Sequence, residues 1–194
     1  MFAIIARIFV IGAGVFLPIA CASVPVTSLP KLAALDPTTM DASQVEVAVR
    51  APDDYDLPED AATLVLSVWQ EEGDKTREEL FHLVPVPDAP TRFLNKRAKA
   101  GYIIHRLHIH PKDAPRMDDF RAHVLSLKET SGQKRLSISV TTRPCLKHGI
   151  SPFKAPRIAI YLRPEQDEDY FTLVKERKIS IEMPDGDVRY CAAD

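Results

Sequence analysis

The sequence predicts an α+β fold, mainly antiparallel β and sandwich-like, with one packed amphipathic helix. Three observations carry that expectation. Seven or eight short segments are rich in β-branched and aromatic residues, one segment has apolar residues at helical spacing, and sixteen prolines against seven glycines imply fixed turns and extended connections. A lone amphipathic helix among so many strands has to bury its stripe on a sheet.

The first strand is "QVEVAVR", residues 44–50, in which Val45, Val47 and Val49 alternate with Gln44, Glu46 and Arg50 and so share one face. "TLVLSVW", Thr63 to Trp69, is apolar on both faces and is expected inside a sheet with material packed over each side. "ELFHLVPV", "YIIHRLHI", "RLSISVTT", "RIAIYLR" and "YFTLV" continue the strand pattern. At the end, "KISIEM" and "VRYCA" flank "PDGD" and predict a hairpin with Asp185 and Gly186 at its tip. The helix is placed by Met117, Phe120, Val124 and Leu127, with Pro115 at its opening, Asp118 and Asp119 in its first turn and Gly132 past its end.

Ahead of the domain, a single Arg7 precedes the 13-residue apolar run Ile8 to Ala20, the layout of a secretory signal peptide over residues 1–20. The run is short for a membrane span, which needs about 20 apolar residues. Cys21 then has two fates. "ACA" is an acceptable site for cutting after Ala22, which gives a soluble secreted protein, whereas Ile19, Ala20 and Cys21 resemble a bacterial lipobox that leaves Cys21 acylated. Pro18 stands where a lipobox usually has Leu. Three cysteines leave one over in an oxidising compartment, and either fate of Cys21 removes the odd thiol, so Cys145 and Cys191 are expected to form a disulfide. Bridging cysteines 46 positions apart stabilises by about 4 kcal/mol in the chain-entropy model. The lipoprotein reading is preferred because several acyl chains give durable anchoring and a tether-like stretch follows.

That stretch, residues 21–43, contains three prolines with several Ser and Thr and reads as a flexible tether, holding the domain on the order of 25 Å from its anchor. Its rival is that "LPKLAAL" packs as a short helical arm. Residues 44–194 are expected to form a single β-rich domain. Without Arg7, the one charged residue of the leader, 24 basic residues face 27 acidic ones, a balance that argues against a nucleic-acid partner.

Two constellations are candidates for function. In "HRLHIHPKD", His108 and His110 alternate around Ile109, so on a strand both imidazoles face one way, a spacing that can bind a metal if further ligands converge. Charge is also segregated. Residues 36–60 hold eight acids against Arg50, whereas residues 91–112 hold Arg92, Lys96, Arg97, Lys99, Arg106 and Lys112 with no acid. The candidate partner-binding set is Arg92, Lys96, Arg97, Lys99 and Arg106, facing an envelope protein or an anionic envelope polymer. The sequence has no G-x-S-x-G, Walker A or H-E-x-x-H spacing, so no catalytic residue and no cofactor is assigned.

"CLKHGISPFKAPRIAIYLRPEQDEDYFTLVKERKIS", in about the last third of the chain, resembles the corresponding part of small exported proteins or lipoproteins of proteobacteria, a family of unknown function. The resemblance implies an envelope location. The sequence therefore leads to an exported, lipid-anchored interaction or structural module, with a periplasmic metal-binding protein using His108 and His110 as the alternative.

Overall fold

The structure, a computed structural model, describes residues 24–59, 61–70, 77–87, 91–128, 134–149, 155–179 and 189–192. Its centre is a curled, antiparallel, seven-stranded sheet. The strands are β1 (Glu46–Pro52), β2 (Tyr55–Asp56), β3 (Ala62–Gln70), β4 (Arg77–Pro85), β5 (Tyr102–Ile109), β6 (Lys134–Thr142), β7 (Cys145–Leu146), β8 (Arg157–Arg163) and β9 (Phe171–Lys178). The short β2 and β7 pair separately. β4 meets β5 over only three residue pairs, Leu83↔Ile109 to Pro85↔Leu107, which joins a β6-β3-β4 wing to a β5-β1-β8-β9 wing. The α+β, sandwich-like class expected from the sequence is what forms.

Helices are α1 (Leu29–Ala34), α2 (Arg92–Asn95) and α3 (Ala114–Lys128). Met117, Phe120, Val124 and Leu127 of α3 are all buried, packed with Val47, Val49, Leu64, Leu66, Phe81, Leu83 and Ile109 into one core. The stripe is as expected, but the opening is not. A 3-10 turn, Pro111–Asp113, precedes a helix that begins at Ala114, so Asp113 rather than Asp118 or Asp119 is the acid at its start. Asp113 is nearly buried there and accepts from His82 N–H at 2.7 Å and from Arg116 Nη1 at 3.2 Å. Burial pushes its carboxyl up, but the bonds from His82 and the Arg116 charge outweigh that and hold it below the ordinary value.

β3 corrects a second expectation. It lies inside the sheet, between β4 and β6, and buries Leu64, Leu66 and Val68, but Thr63, Val65 and Ser67 on its other face are only half covered. The third correction concerns the tether. From Val24 the chain runs as a 3-10 turn (Val26–Ser28), α1 and two turns, with Ser28, Thr38, Met40 and Ala42 buried. Leu32 and Leu35 pack on the core, and the Thr38 carbonyl accepts from Arg121 Nε at 3.1 Å. Pro30 pre-sets the backbone for the first turn of α1. Residues 24–43 thus belong to the domain because their apolar side chains find the core. The expected signal peptide at residues 1–20, Cys21, and most of the expected C-terminal hairpin, at 180–188, lie outside the described residues.

Cys145 and Cys191 form a disulfide with Cα atoms 4.8 Å apart. Backbone bonds between Leu146 N–H and Arg189 O, 2.8 Å, and between Cys191 N–H and Leu146 O, 2.9 Å, lay the C-terminal segment beside β7. The bridge fastens that segment to the body, as its loop-closing role requires.

Candidate functional site

The pleat of β1 decides what the two faces of the sheet become. Val47, Val49 and Ala51 point to the core, so Glu46, Ala48 and Arg50 point the other way. Register places Arg106 of β5 and Tyr161 of β8 beside Ala48, and His108 of β5 and Arg163 of β8 beside Glu46. The small Ala48 and Ala159 leave room above the sheet, and Tyr161, Tyr170, Phe93 and Leu94 fill it as a second, smaller core. α2 supplies Phe93 and Leu94. Its start is fixed by the Thr91 hydroxyl, which accepts from Leu94 N–H at 3.2 Å. Phe93 meets Tyr161 edge-on at 5.6 Å and stacks on Tyr170 at 6.2 Å between ring centres.

Two carboxylates organise the charges on this face. Glu46 accepts from Arg106 Nη2 at 2.8 Å and also from Arg163 Nη2 and the Tyr170 hydroxyl. Side chains in this group are 9–14% exposed for the three charged members, so it is a nearly buried ion cluster. Burial pushes the Glu46 carboxyl up, and hydrogen bonds from Tyr170 and Arg106 with the Arg163 and Arg106 charges more than reverse it, leaving it below the ordinary value. Tyr170 is pushed up to about 12, first by burial and then by the adjacent carboxylate. Neither group changes charge near neutrality, so the cluster supplies fixed charge and geometry rather than proton transfer.

The second carboxylate, Glu176, holds three cations. Arg50 Nη2 reaches it at 2.6 Å, Lys99 Nζ at 3.1 Å and Arg157 Nε at 3.2 Å. Arg50 Nη1 also donates to the Arg97 carbonyl at 2.7 Å, which fixes the turn after α2. Arg97 lies over the Phe93 ring at 4.9 Å and Lys99 over Tyr102 at 4.1 Å. Gly101, with φ +73°, supplies the left-handed residue that returns the chain to β5. Unlike the Glu46 group, this end is open: the Lys99 and Arg157 side chains are 44% and 48% exposed. Around the two carboxylates stand Arg50, Arg97, Lys99, Arg106, Arg157 and Arg163, an excess of positive charge held on an aromatic floor. Arg50 Nε and Arg163 Nε are buried without a hydrogen-bond partner among the described residues.

Of the five residues selected from sequence, Arg92, Lys96, Arg97 and Lys99 come together at and after α2 and are exposed. Arg106 is different: it is buried in the Glu46 cluster and holds structure rather than presenting charge. Arg50, Arg157, Arg163 and Glu176 were missed, because only the pairing of β1 with β8 and of β8 with β9 brings them to the same face. The alternation in β1 did signal Arg50, since a cation opposite three valines has to face away from them.

Among the described residues the histidines are not gathered into a metal centre. His110 follows β5, donating its N–H to His82 O at 2.8 Å and accepting from Lys112 N–H on Nδ1 at 3.0 Å, so it caps the turn into α3. His108 sits beside Glu46 in the β1 register. Among the described residues no three His, Cys, Asp or Glu side chains are grouped to hold a metal. Likewise Cys145 is committed to the disulfide, and His148 stacks on Tyr190 at 5.8 Å.

Compared with family models, with curated proteins and with solved structures, the chain matches none.

Proposed function

We propose that this chain is an exported envelope protein, anchored through acylated Cys21, that binds an anionic envelope polymer by the face built around Glu176 and α2. It acts by binding rather than by catalysis. The observation that carries the reading is three cations on one carboxylate, Arg50, Lys99 and Arg157 on Glu176, with exposed Arg92, Lys96 and Arg97 beside them. Glu176 is held below the ordinary carboxylate range because the Lys99 and Arg157 bonds and the Lys99 and Arg50 charges exceed the effect of burial. It stays ionised at neutral pH and fixes an array whose net charge is positive. An anion then meets cations already in place, which lowers the ordering cost of binding.

Two further features support the location. The disulfide suits an oxidising compartment. Val24, three residues after Cys21 in sequence, already packs on the domain, a span of at most about 10 Å, so an acylated protein would lie close against its membrane rather than on a long leash. Intact mass of the native protein tests the anchor: acyl mass on Cys21 is expected, and a chain starting at Ser23 would replace it with the soluble form. Retention on immobilised lipopolysaccharide tests the face. The Arg92→Glu, Lys96→Glu, Arg97→Glu variant should lose roughly tenfold or more in affinity, and equal retention would remove the proposal.

A further inference from the structure

The two edge strands of the curled sheet, β6 and β9, face each other across a cavity of about 340 Å³ whose lining includes Val24, Ile138, Val140, Ile160, Val174 and Arg177. Val24 enters the chain's docked segment at this opening. From there the Val26–Ser28 turn runs against β9, and α1 follows, with Lys31 Nζ 5.8 Å from the centre of the Phe171 ring on that strand. Val26 is 75% exposed and Leu29 49%. Neither side chain is needed by the core, which takes Leu32 and Leu35 from the same segment instead.

Along this edge the exposed charges are mostly positive, with Asp167, Glu168 and Asp169 confined to the turn before β9. No acid occurs between Cys21 and Asp36. On β9 the exposed ionisable residues are Lys175, Arg177 and Lys178, and its acid, Glu176, is already shared by Arg50, Lys99 and Arg157 on the other face. Projecting apolar side chains flanked by cations are the pattern of a surface that rests in the headgroup layer of an anionic bilayer.

We propose that this edge is a membrane-contact surface: Val26 and Leu29 enter the interfacial layer of an anionic phospholipid bilayer while Lys31 and Arg177 meet headgroup phosphates. A second copy of the chain fits less well. Two projecting side chains supply a small part of the roughly 1,200 Å² that stable protein interfaces bury. The path of the chain agrees with a bilayer, since Val24, which lines this edge, is only three residues from Cys21 in sequence. The inference does not depend on acylation. It says which side of the domain faces lipid, with or without an anchor at Cys21, and it is distinct from the polymer-binding face around α2.

The test uses residues 21–194 carrying Cys21→Ser, which includes every described residue and has no acylation site. Sedimentation with phosphatidylglycerol–phosphatidylcholine vesicles should carry the protein down, and vesicles of phosphatidylcholine alone should carry much less. Val26→Asp with Leu29→Asp should weaken binding roughly tenfold or more. Lys31→Glu with Arg177→Glu should weaken it several-fold, as should high salt. All four substituted positions of the edge are exposed, and an unchanged melting temperature with an intact disulfide verifies the fold. A parent protein that stays in the supernatant, or a Val26, Leu29 variant that binds as well as the parent, overturns the proposal. So does a dimer seen in ultracentrifugation that the same variant splits, which would assign the edge to a second copy. Failure of the acylation reading shows separately, in the mass of native Cys21.

Discussion

The two faces of the central sheet are made from the same strands by opposite means. On the α3 side, β1 contributes Val47, Val49 and Ala51 to a continuous apolar core. On the other side it contributes Glu46, Ala48 and Arg50, and neighbouring residues answer with guanidinium, phenol and carboxylate groups around a small aromatic core. Apolar packing is non-directional and tolerates exchange of one hydrocarbon for another of similar volume. An ion cluster such as Glu46, Arg106, Arg163 and Tyr170 is worth little net against hydrophobic replacements, yet removing one member leaves buried charge uncompensated. The first face therefore accounts for most of the stability, and the second for the arrangement of charge at the surface.

Truncation on the α3 side should have the largest effect. Phe120 is fully buried at the centre of the helix stripe, and Phe120→Ala should cost about 4 kcal/mol through lost transfer energy and the cavity left behind. Urea unfolding followed by tryptophan fluorescence would measure it, with Trp69 on β3 as the reporter.

On the other face, Glu46→Gln keeps the size but removes the charge that neutralises Arg106 and Arg163. The expected loss is about 3 kcal/mol. Tyr170→Phe removes one hydrogen bond to that carboxylate and should cost about 2 kcal/mol. Because both changes act on one network, the double variant should lose clearly less than the sum of the two. Simple additivity would mean that the cluster is not the coupled unit described here.

The same comparison predicts an asymmetry in pH. Glu46, Glu79, Asp113 and Glu176 are all held below their ordinary values. A carboxyl depressed in the folded state contributes stability that is complete above its unfolded pKa and is lost as pH falls through the folded value. From the ordinary glutamate value of 4.5 downward, the native protein should lose stability progressively. Glu46→Gln, having lost one of these groups, should be less stable at neutral pH but show a shallower acid slope. Melting temperatures across that range measure both, and parallel slopes would dissociate Glu46 from the acid response.

What could be read before the structure follows from the same contrast. Local periodicity exposes an apolar face, so the β1 valines and the α3 stripe were legible residue by residue. A polar cluster built from residues 46, 106, 163 and 170 has no local period, and only strand pairing assembles it. Arg106 shows the consequence: it belongs to a basic run in sequence but to a neutralising cluster in space. The segment after Cys21 misled for another reason. Its prolines and hydroxyl residues look like a linker, whereas Leu32, Leu35 and Met40 are enough to dock it on the core. Val26 and Leu29, left outside, are apolar in composition and are identifiable as surface only once that docking is known.

The smallest stability effect belongs to the residue best placed to separate holding from binding. Arg97 is exposed and lies over Phe93, a contact worth about 0.5–1 kcal/mol at an exposed site. Arg97 also gives the fold its backbone, whose carbonyl accepts from Arg50 and whose N–H donates to Leu94 O, and both bonds survive a side-chain change. Arg97→Ala should therefore shift unfolding by less than about 1 kcal/mol while weakening retention on lipopolysaccharide several-fold. Arg97→Lys should restore part of the retention, because charge is kept while the planar stacking group is lost. If Arg97→Ala instead reduced stability as much as Tyr170→Phe and left retention intact, the α2 end would be another structural cluster, and the division of labour between the exposed and buried cations would fail.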